Sequence, residues 1–149
     1  MLVAFLLVVL SLTMPNPMAV GGENLLMADA PATGIQRITR HPFLWGIAVW
    51  ALTHFIVNGD AASHVLFGSL LMLVLLGMPS IDAKRKKACG RHWESYAAAT
   101  SLIPFQAIKE GRNTLEIAEF KWWQLIAAIV LYLAVMHFHL TLFGASPLF

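Results

Sequence analysis

A histidine lies inside an apolar stretch of this 149-residue chain. His54 follows Gly46 and Trp50 and precedes Asn58 at spacings of four, so in a helix these residues share one face. Ionisable side chains within apolar spans are rare and usually mark a site or a relay. Three interpretations fit His54: a hydrogen bond to a neighbouring helix without a ligand, ligation of haem or another metal, or proton transfer. The glycine gap beside an aromatic ring favours a flat cofactor.

Distance along the helices restricts which histidines could share a centre with His54. His41 precedes it by 13 positions, or roughly 20 Å along a helix, so these two cannot bind one metal. His137 and His139 lie about 22 and 26 Å into a helix that begins at Trp122, close to the expected depth of His54. The sequence therefore allows a two-histidine site that pairs His54 with one of them.

Other polar residues allow less specific interpretations. Arg40 and Arg112 could bind lipid phosphate or an anionic substrate. Asp60 ends an Asn-Gly-Asp sequence that is typical of a turn, although it could also line a pocket. His64 is expected to be a solvated residue near the membrane surface, and His92 has no evident partner.

Four apolar segments must position these residues: Met1 to about Val20, Pro42–Val57, Ala61–Met78 and Trp122 to about Gly144. A spanning helix needs about 20 apolar residues, so the third and fourth segments qualify and the second is short. The first lacks a basic start and a cleavage pattern, and we interpret it as a retained helix. Because it begins without a polar flank, we expect upstream sequence to be missing.

All ten Lys and Arg residues fall into two regions, residues 37–40 and 84–121. If segments two and three form a hairpin through residues 58–60, both regions lie on the same side of the membrane. The positive-inside rule then assigns that side to the cytoplasm and both chain ends to the outer side. The predicted fold is an all-α, polytopic membrane bundle of about four helices that forms one domain, residues 1–149.

The basic loop should have internal order. Residues 81–91 are expected to extend the third helix until it breaks at Gly90. The run from Lys84 to Lys87 is either a topology signal or a surface for anionic lipid. Cys89 is interpreted as a free loop thiol. An interfacial amphipathic segment is predicted from the following residues: Tyr96, Leu102, Ile103, Phe105 and Ile108.

Composition and motifs exclude several functions. Only 12% of the residues are charged, about half of what soluble domains carry. The chain has no phosphate-binding loop, serine-hydrolase elbow, zinc-protease motif or cysteine pair. Nucleic-acid binding is not expected, because the basic run is short and adjoins an apolar span.

Several motifs in order resemble the NnrU family of bacterial membrane proteins, over roughly Gly21 to the C-terminus. They are residues 34–42 (GIQRITRHP), 50–54 (WALTH), 58–60 (NGD), 81–82 with the basic run, 100–105 (TSLIPF) and 110–112 (EGR). The same pattern resembles zeta-carotene isomerase of plants and cyanobacteria, a haem b membrane enzyme. The Arg-His-Pro element alone also resembles isoprenylcysteine carboxyl methyltransferases.

The resemblance implies roles for individual residues. His54 matches the haem-ligating histidine of the isomerase element Trp-Cys-Leu-Ala-His, in which the cysteine corresponds to Ala51. The second axial histidine of the isomerase lies in upstream helices that this chain does not contain, and family members usually have about six spans. His139 matches a histidine near the C-terminus of both relatives, although the proline that usually follows it is Leu140 here.

These arguments predict a bacterial inner-membrane protein that binds haem b through His54. It would support redox or isomerase-like chemistry on a hydrophobic substrate, linked by the family name to nitric oxide metabolism and denitrification. The alternatives are a non-enzymatic assembly factor for a respiratory reductase and an S-adenosylmethionine-dependent methyltransferase. Membrane lipid, a membrane protein and a second copy of the chain are the expected partners. The candidate cofactor-binding residues are His54, His139, His137, Trp50, Arg40, His41 and Asn58.

Overall fold

The computed structural model of the protein describes residues 1–29 and 31–147. Within these ranges the chain is helical and contains no strand, as predicted. Its elements are α1 (Leu2–Thr13), α2 (Glu23–Met27), α3 (Ile35–Ile38), α4 (Pro42–Val57), α5 (Ala61–Cys89), α6 (Arg91–Ala99), α7 (Gln106–Lys109), a 3-10 turn (Ile117–Glu119) and α8 (Trp122–Phe143).

Local chemistry explains where the long helices begin and end. Pro42 occupies the first turn of α4, where a missing N–H costs no hydrogen bond. The Asp60 carboxylate caps α5 by accepting a hydrogen bond from the backbone N–H of Ser63 at 2.9 Å. Gly144 ends α8 in the left-handed conformation that glycine adopts at little cost. α1 stops at Thr13, just before Pro15 would break it.

The four long helices form a row in the order α5, α4, α1, α8. α1 and α8 run antiparallel, because Phe5 contacts Tyr132 near one end while Gln124 hydrogen-bonds Thr13 at the other. α4 and α5 form an antiparallel hairpin through residues 58–60, as predicted. A row differs from a closed bundle in that its broad faces stay exposed.

Two helices, α5 and α8, are long and apolar enough to cross a membrane. α1 and α4 are apolar but have 12 and 16 residues, or about 18 and 24 Å, which is less than the ~30 Å hydrocarbon core. The structure therefore contains two helices of spanning length, and four spans remain a prediction.

The short elements gather at one end of the row, which we call the basic end (residues 16–29, 31–41 and 81–121). Ion pairs join its segments: Arg40 contacts Asp82 of α5, and Arg37 contacts Glu119 of the 3-10 turn. The two basic regions of the sequence thus lie at the same end of the helices, as predicted. α5 also continues through the basic run and breaks at Gly90, as predicted.

The basic end has its own small core, formed by Met18, Leu26, Ala32, Cys89 and Tyr96. Two predictions about it were wrong. Cys89 is a free thiol, as predicted, but it lies in a helix and not in a loop, and it is buried because α2 and the residues before it cover the end of α5. Tyr96 is 5% exposed and packs inside the protein, so it takes no part in an interfacial segment. Ile103 and Phe105 of the same predicted segment are exposed.

Candidate functional site

The His54 ring lies between two aromatic rings in the half of α4 away from the basic end. Its centroid is 5.0 Å from that of Trp50, one turn earlier, and 4.9 Å from that of Phe67 on α5. Trp50 and Phe67 also meet edge to face at 5.2 Å. The imidazole is half-buried by these neighbours, so one part of it is packed and another part is accessible.

The hydrogen bond of His54 fixes which ring nitrogen carries the proton. Nδ1 lies 2.9 Å from the carbonyl oxygen of Trp50. Since a carbonyl can only accept, Nδ1 donates and the neutral ring keeps its lone pair on Nε2. Nε2 has no hydrogen-bond partner among the described residues. Metal-bound histidines commonly have this arrangement, with one nitrogen held by a carbonyl and the other free to bind.

The other members of the predicted helix face play different parts. Asn58 donates from its side-chain amide to the backbone carbonyl of His54 at 2.8 Å and so caps the helix end. Gly46 is filled by α1, because a Cβ there would lie 2.7 Å from a methyl carbon of Val8 and 3.0 Å from the carbonyl oxygen of Ala4. The prediction that this glycine leaves a gap for a cofactor was therefore wrong. The ring that accompanies Trp50 beside His54 is Phe67.

The two histidines predicted to join His54 lie on α8, which packs on α1, and α1 also packs on α4. The ring contacts of His137 and His139 are with Phe138 and Phe143 of their own helix. His139 Nδ1 also donates to the carbonyl of Ala145 at 2.7 Å. Within the described residues neither ring contacts His54 directly, and α1 lies between α4 and α8 in the row. The pairing of His54 with one of these histidines stays a prediction.

Arg40 and His41 lie at the opposite end of α4, about 20 Å from His54 along the helix. Both hold Asp82 of α5: Arg40 donates from Nε at 2.9 Å and from a terminal nitrogen at 2.5 Å, and His41 Nε2 lies 2.8 Å from the other carboxylate oxygen. The Arg40 guanidinium also stacks 5.9 Å above the ring of Trp93. These residues form a buried electrostatic clasp between two helices.

The pairing of Asp82 with Arg40 and His41 was not predicted, although the sequence contains an indication of it. Asp82 is the one acidic residue of α5 and stands beside a run of lysine and arginine. A buried carboxylate requires a partner. In an antiparallel hairpin the far end of the second helix lies beside the start of the first, so the residues before α4, Arg40 and His41, are the nearest candidates.

Three other polar residues considered in the sequence analysis, Arg112, His92 and His64, have partners within the chain. Arg112 binds Glu110 and donates to the carbonyl of Thr100 at 2.8 Å, which leaves it little capacity to bind lipid phosphate or an anionic substrate. His92 was expected to lack a partner, but its Nδ1 lies 2.8 Å from a carboxylate oxygen of Asp29. His64 Nδ1 donates to the carbonyl of Asp60 at 2.8 Å. In the part of the chain that the structure covers, no three His, Cys, Asp or Glu residues are grouped to hold a metal ion.

Comparison with known proteins identifies relatives over most of the chain. A family model described as NnrU protein matches residues 1–147. The 15-cis-zeta-carotene isomerase of the Arabidopsis thaliana chloroplast is 35% identical over 116 residues, which are 78% of this chain and 30% of the relative. The isomerase of the same name from Zea mays is 35% identical over 83 residues, 56% of this chain and 23% of the relative.

The matched region thus spans less than a third of either isomerase. No solved structure matches the chain.

Proposed function

Because the chain belongs to the NnrU protein family, we propose that it is an isomerase-like membrane protein that holds haem b through His54. Its relatives are named as isomerases of a carotene, which is an apolar hydrocarbon. A protein with apolar helices of spanning length would meet such a substrate in the bilayer. The proposed activity is redox or isomerase-like chemistry on a hydrophobic molecule. Its proposed context is nitric oxide metabolism, with which the family is associated by name.

The observation that carries this proposal is the free Nε2 of His54. A half-buried imidazole that has one nitrogen bonded to a backbone carbonyl can present its other nitrogen to a ligand on its accessible side. Here Trp50 holds Nδ1–H through its carbonyl, and Nε2 has no partner within the described residues. The residues present therefore fit an iron-holding group such as haem b, which His54 would hold. A second histidine from α8, His137 or His139, stays part of the proposal, and both make ring contacts within their own helix.

The chain contributes orientation and exclusion of water at this position. The Trp50 carbonyl selects the tautomer, and the rings of Trp50 and Phe67 restrict rotation of the imidazole. The same rings keep water from one side of it. Haem b, if held by His54, would supply one-electron chemistry, tuned by this histidine and by the low polarity around it.

The proposed location is the bacterial inner membrane, with the basic end in the cytoplasm and with α1 and α4 as the shorter of four spans. The gathering of all ten Lys and Arg residues at one end supports this orientation. The antiparallel hairpin of α4 and α5 supports the proposal that these two helices cross the membrane as a pair.

A second candidate function is a non-enzymatic assembly or maturation factor for a respiratory reductase. α8 favours it, because this helix packs mainly on α1 and exposes a large apolar surface. Its exposed side chains include Ile126, Val130 and Leu133. A partner helix or a second copy of the chain could cover that surface as well as lipid does.

Absorbance spectroscopy tests the haem proposal. The protein is expressed with a haem supply, purified in detergent and compared with the His54→Gly and His64→Ala variants. We expect a Soret band in the wild type and in His64→Ala, whose ring lies at the same end of the hairpin with its Nδ1 held in the same way. His54→Gly should lose the band, and added imidazole should restore it by occupying the space left by the side chain.

The absence of a Soret band in the wild type, or an unchanged band in His54→Gly, would refute the haem proposal. Purification of the wild type without haem but together with a reductase subunit would support the assembly factor instead.

A further inference from the structure

Half of the basic side chains at the basic end are neutralised by acidic neighbours. Arg37, Arg40 and Arg85 pair with Glu119, Asp82 and Glu23, and Lys86 and Arg112 pair with Glu94 and Glu110. Arg85 is also buried and donates to the carbonyl of Ala19 at 2.6 Å. The sequence contains one continuous basic run from Lys84 to Lys87. In the structure the two middle residues, Arg85 and Lys86, are paired with acids, and the two outer lysines are not.

Three of the remaining basic residues lie close together at the end of α5. Lys84, Lys87 and Arg91 are exposed and form no ion pair within the described residues. Lys84 and Lys87 are three positions apart and so share a helix face, and Arg91 follows directly after the break at Gly90. We call these three residues the free basic patch.

The free basic patch lies just outside the lipid headgroup layer, within reach of its side chains. The apolar part of α5 ends at about Met78, and Lys84 and Lys87 follow it by six and nine positions, or about 9 and 14 Å along the axis. The headgroup layer adds roughly 5–8 Å beyond the hydrocarbon core, and long lysine side chains reach back toward it. Trp122 is 74% exposed at the same end, where the start of α8 places an indole that suits the interface.

We propose that Lys84, Lys87 and Arg91 bind the headgroups of anionic phospholipids at the surface of the membrane that holds this protein. The patch carries three positive charges without a paired acid, and the acids nearest to it in sequence, Asp82 and Glu94, pair with Arg40 and Lys86. Juxtamembrane charges of this kind attract acidic lipid electrostatically. The proposal does not depend on haem binding by His54.

Energy transfer from tryptophan to labelled lipid measures this preference, because Trp45, Trp93, Trp122 and Trp123 all lie near the basic end. The whole chain is placed in nanodiscs of phosphatidylcholine that contain a small fraction of pyrene-labelled phosphatidylglycerol or pyrene-labelled phosphatidylcholine. We expect the wild type to associate more strongly with phosphatidylglycerol at low salt. The double variant Lys84→Gln/Lys87→Gln should lose this preference by on the order of five-fold for each lysine.

The matched control is Lys86→Gln/Lys109→Gln, which removes the same charge from a paired lysine and from an exposed lysine on α7. We expect this control to keep most of the preference, and 0.5 M salt to abolish it in every protein through screening. Inorganic phosphate at constant ionic strength should not compete. The proposal is overturned if the wild type shows no preference, if both double variants lose it equally, or if free phosphate displaces the lipid.

Discussion

The basic end and the His54 region use polar side chains in opposite ways. At the basic end, acids from distant parts of the chain bind four side chains: Arg37, Arg40, His41 and Arg85. These polar contacts join separate segments of the fold. In the apolar half, His54 is held by its own helix through one nitrogen and keeps the other free. The comparison teaches that a histidine held by an acid joins segments of the fold, whereas one held by a backbone carbonyl and packed between two aromatic rings, as His54 is, keeps a nitrogen available for a ligand.

Removal of Asp82 should have the largest effect on stability. Asp82→Ala leaves Arg40 and His41 without an acceptor while their side chains are only 12% and 2% exposed. Breaking one side of a buried ion pair costs about 3–5 kcal/mol. We expect the unfolding midpoint in detergent, followed by size-exclusion chromatography after heating, to fall by on the order of 10 °C.

The control for Asp82 is Glu94→Ala, which breaks a pair whose side chains are 61% and 57% exposed. This variant should lose less than about 1 kcal/mol. Equal losses in the two variants would mean that the clasp contributes no more than a surface pair.

A substitution at Gly46 tests the apolar half. Gly46→Ala places a methyl group against Val8 and against the backbone of Ala4, and such overpacking costs about 1–3 kcal/mol. We expect a lower unfolding midpoint than for Gly77→Ala, because a Cβ at Gly77 meets nothing within 4 Å. A neutral Gly46→Ala would show that α1 and α4 pack less closely than described.

The pair of Arg37 and Glu119 should give the smallest effect and the clearest pH dependence. Hydrogen bonds from the Arg37 guanidinium lower the pKa of Glu119, so the folded protein favours the ionised carboxylate. The stability it adds is present above the unfolded pKa and is lost as the pH falls through the lower folded pKa. We expect Glu119→Gln to cost about 1 kcal/mol at pH 7 and nothing in strong acid.

Unfolding midpoints of the wild type and Glu119→Gln between pH 7 and pH 3 measure this difference. Glu116→Gln is the control, because among the described residues that carboxylate accepts a hydrogen bond from Thr114 and none from Arg37. A gap between the wild type and Glu119→Gln that did not narrow in acid would contradict the assignment.

Local patterns predicted the helices well. The apolar stretch that starts at Pro42 predicted the bounds of α4, and the turn at residues 58–60 predicted the hairpin. The glycine at position 90 predicted the end of α5. These features are decided by residues a few positions apart, through caps, breakers and apolar runs. The His54 face was also predictable from its spacing, although the filling of Gly46 by α1 was not.

Long-range pairing accounts for what the sequence could not predict. Glu119 reaches back 82 positions to Arg37, and Asp29 pairs with His92 across 63 positions. Nothing in the local sequence indicates these partners. The burial of Cys89 and Tyr96 was unpredictable for the same reason, because the residues that cover them, in and around α2, are distant in sequence. Haem binding and the second axial ligand stay predictions.

The clasp of Arg40 and His41 on Asp82 also has a consequence for biosynthesis. Arg40 and His41 precede Asp82 by 42 and 41 positions, so a ribosome makes them well before their partner. The end of the hairpin that carries the clasp can therefore be held by this carboxylate only after most of α5 has been made. The order of synthesis thus makes this contact between α4 and α5 a late one.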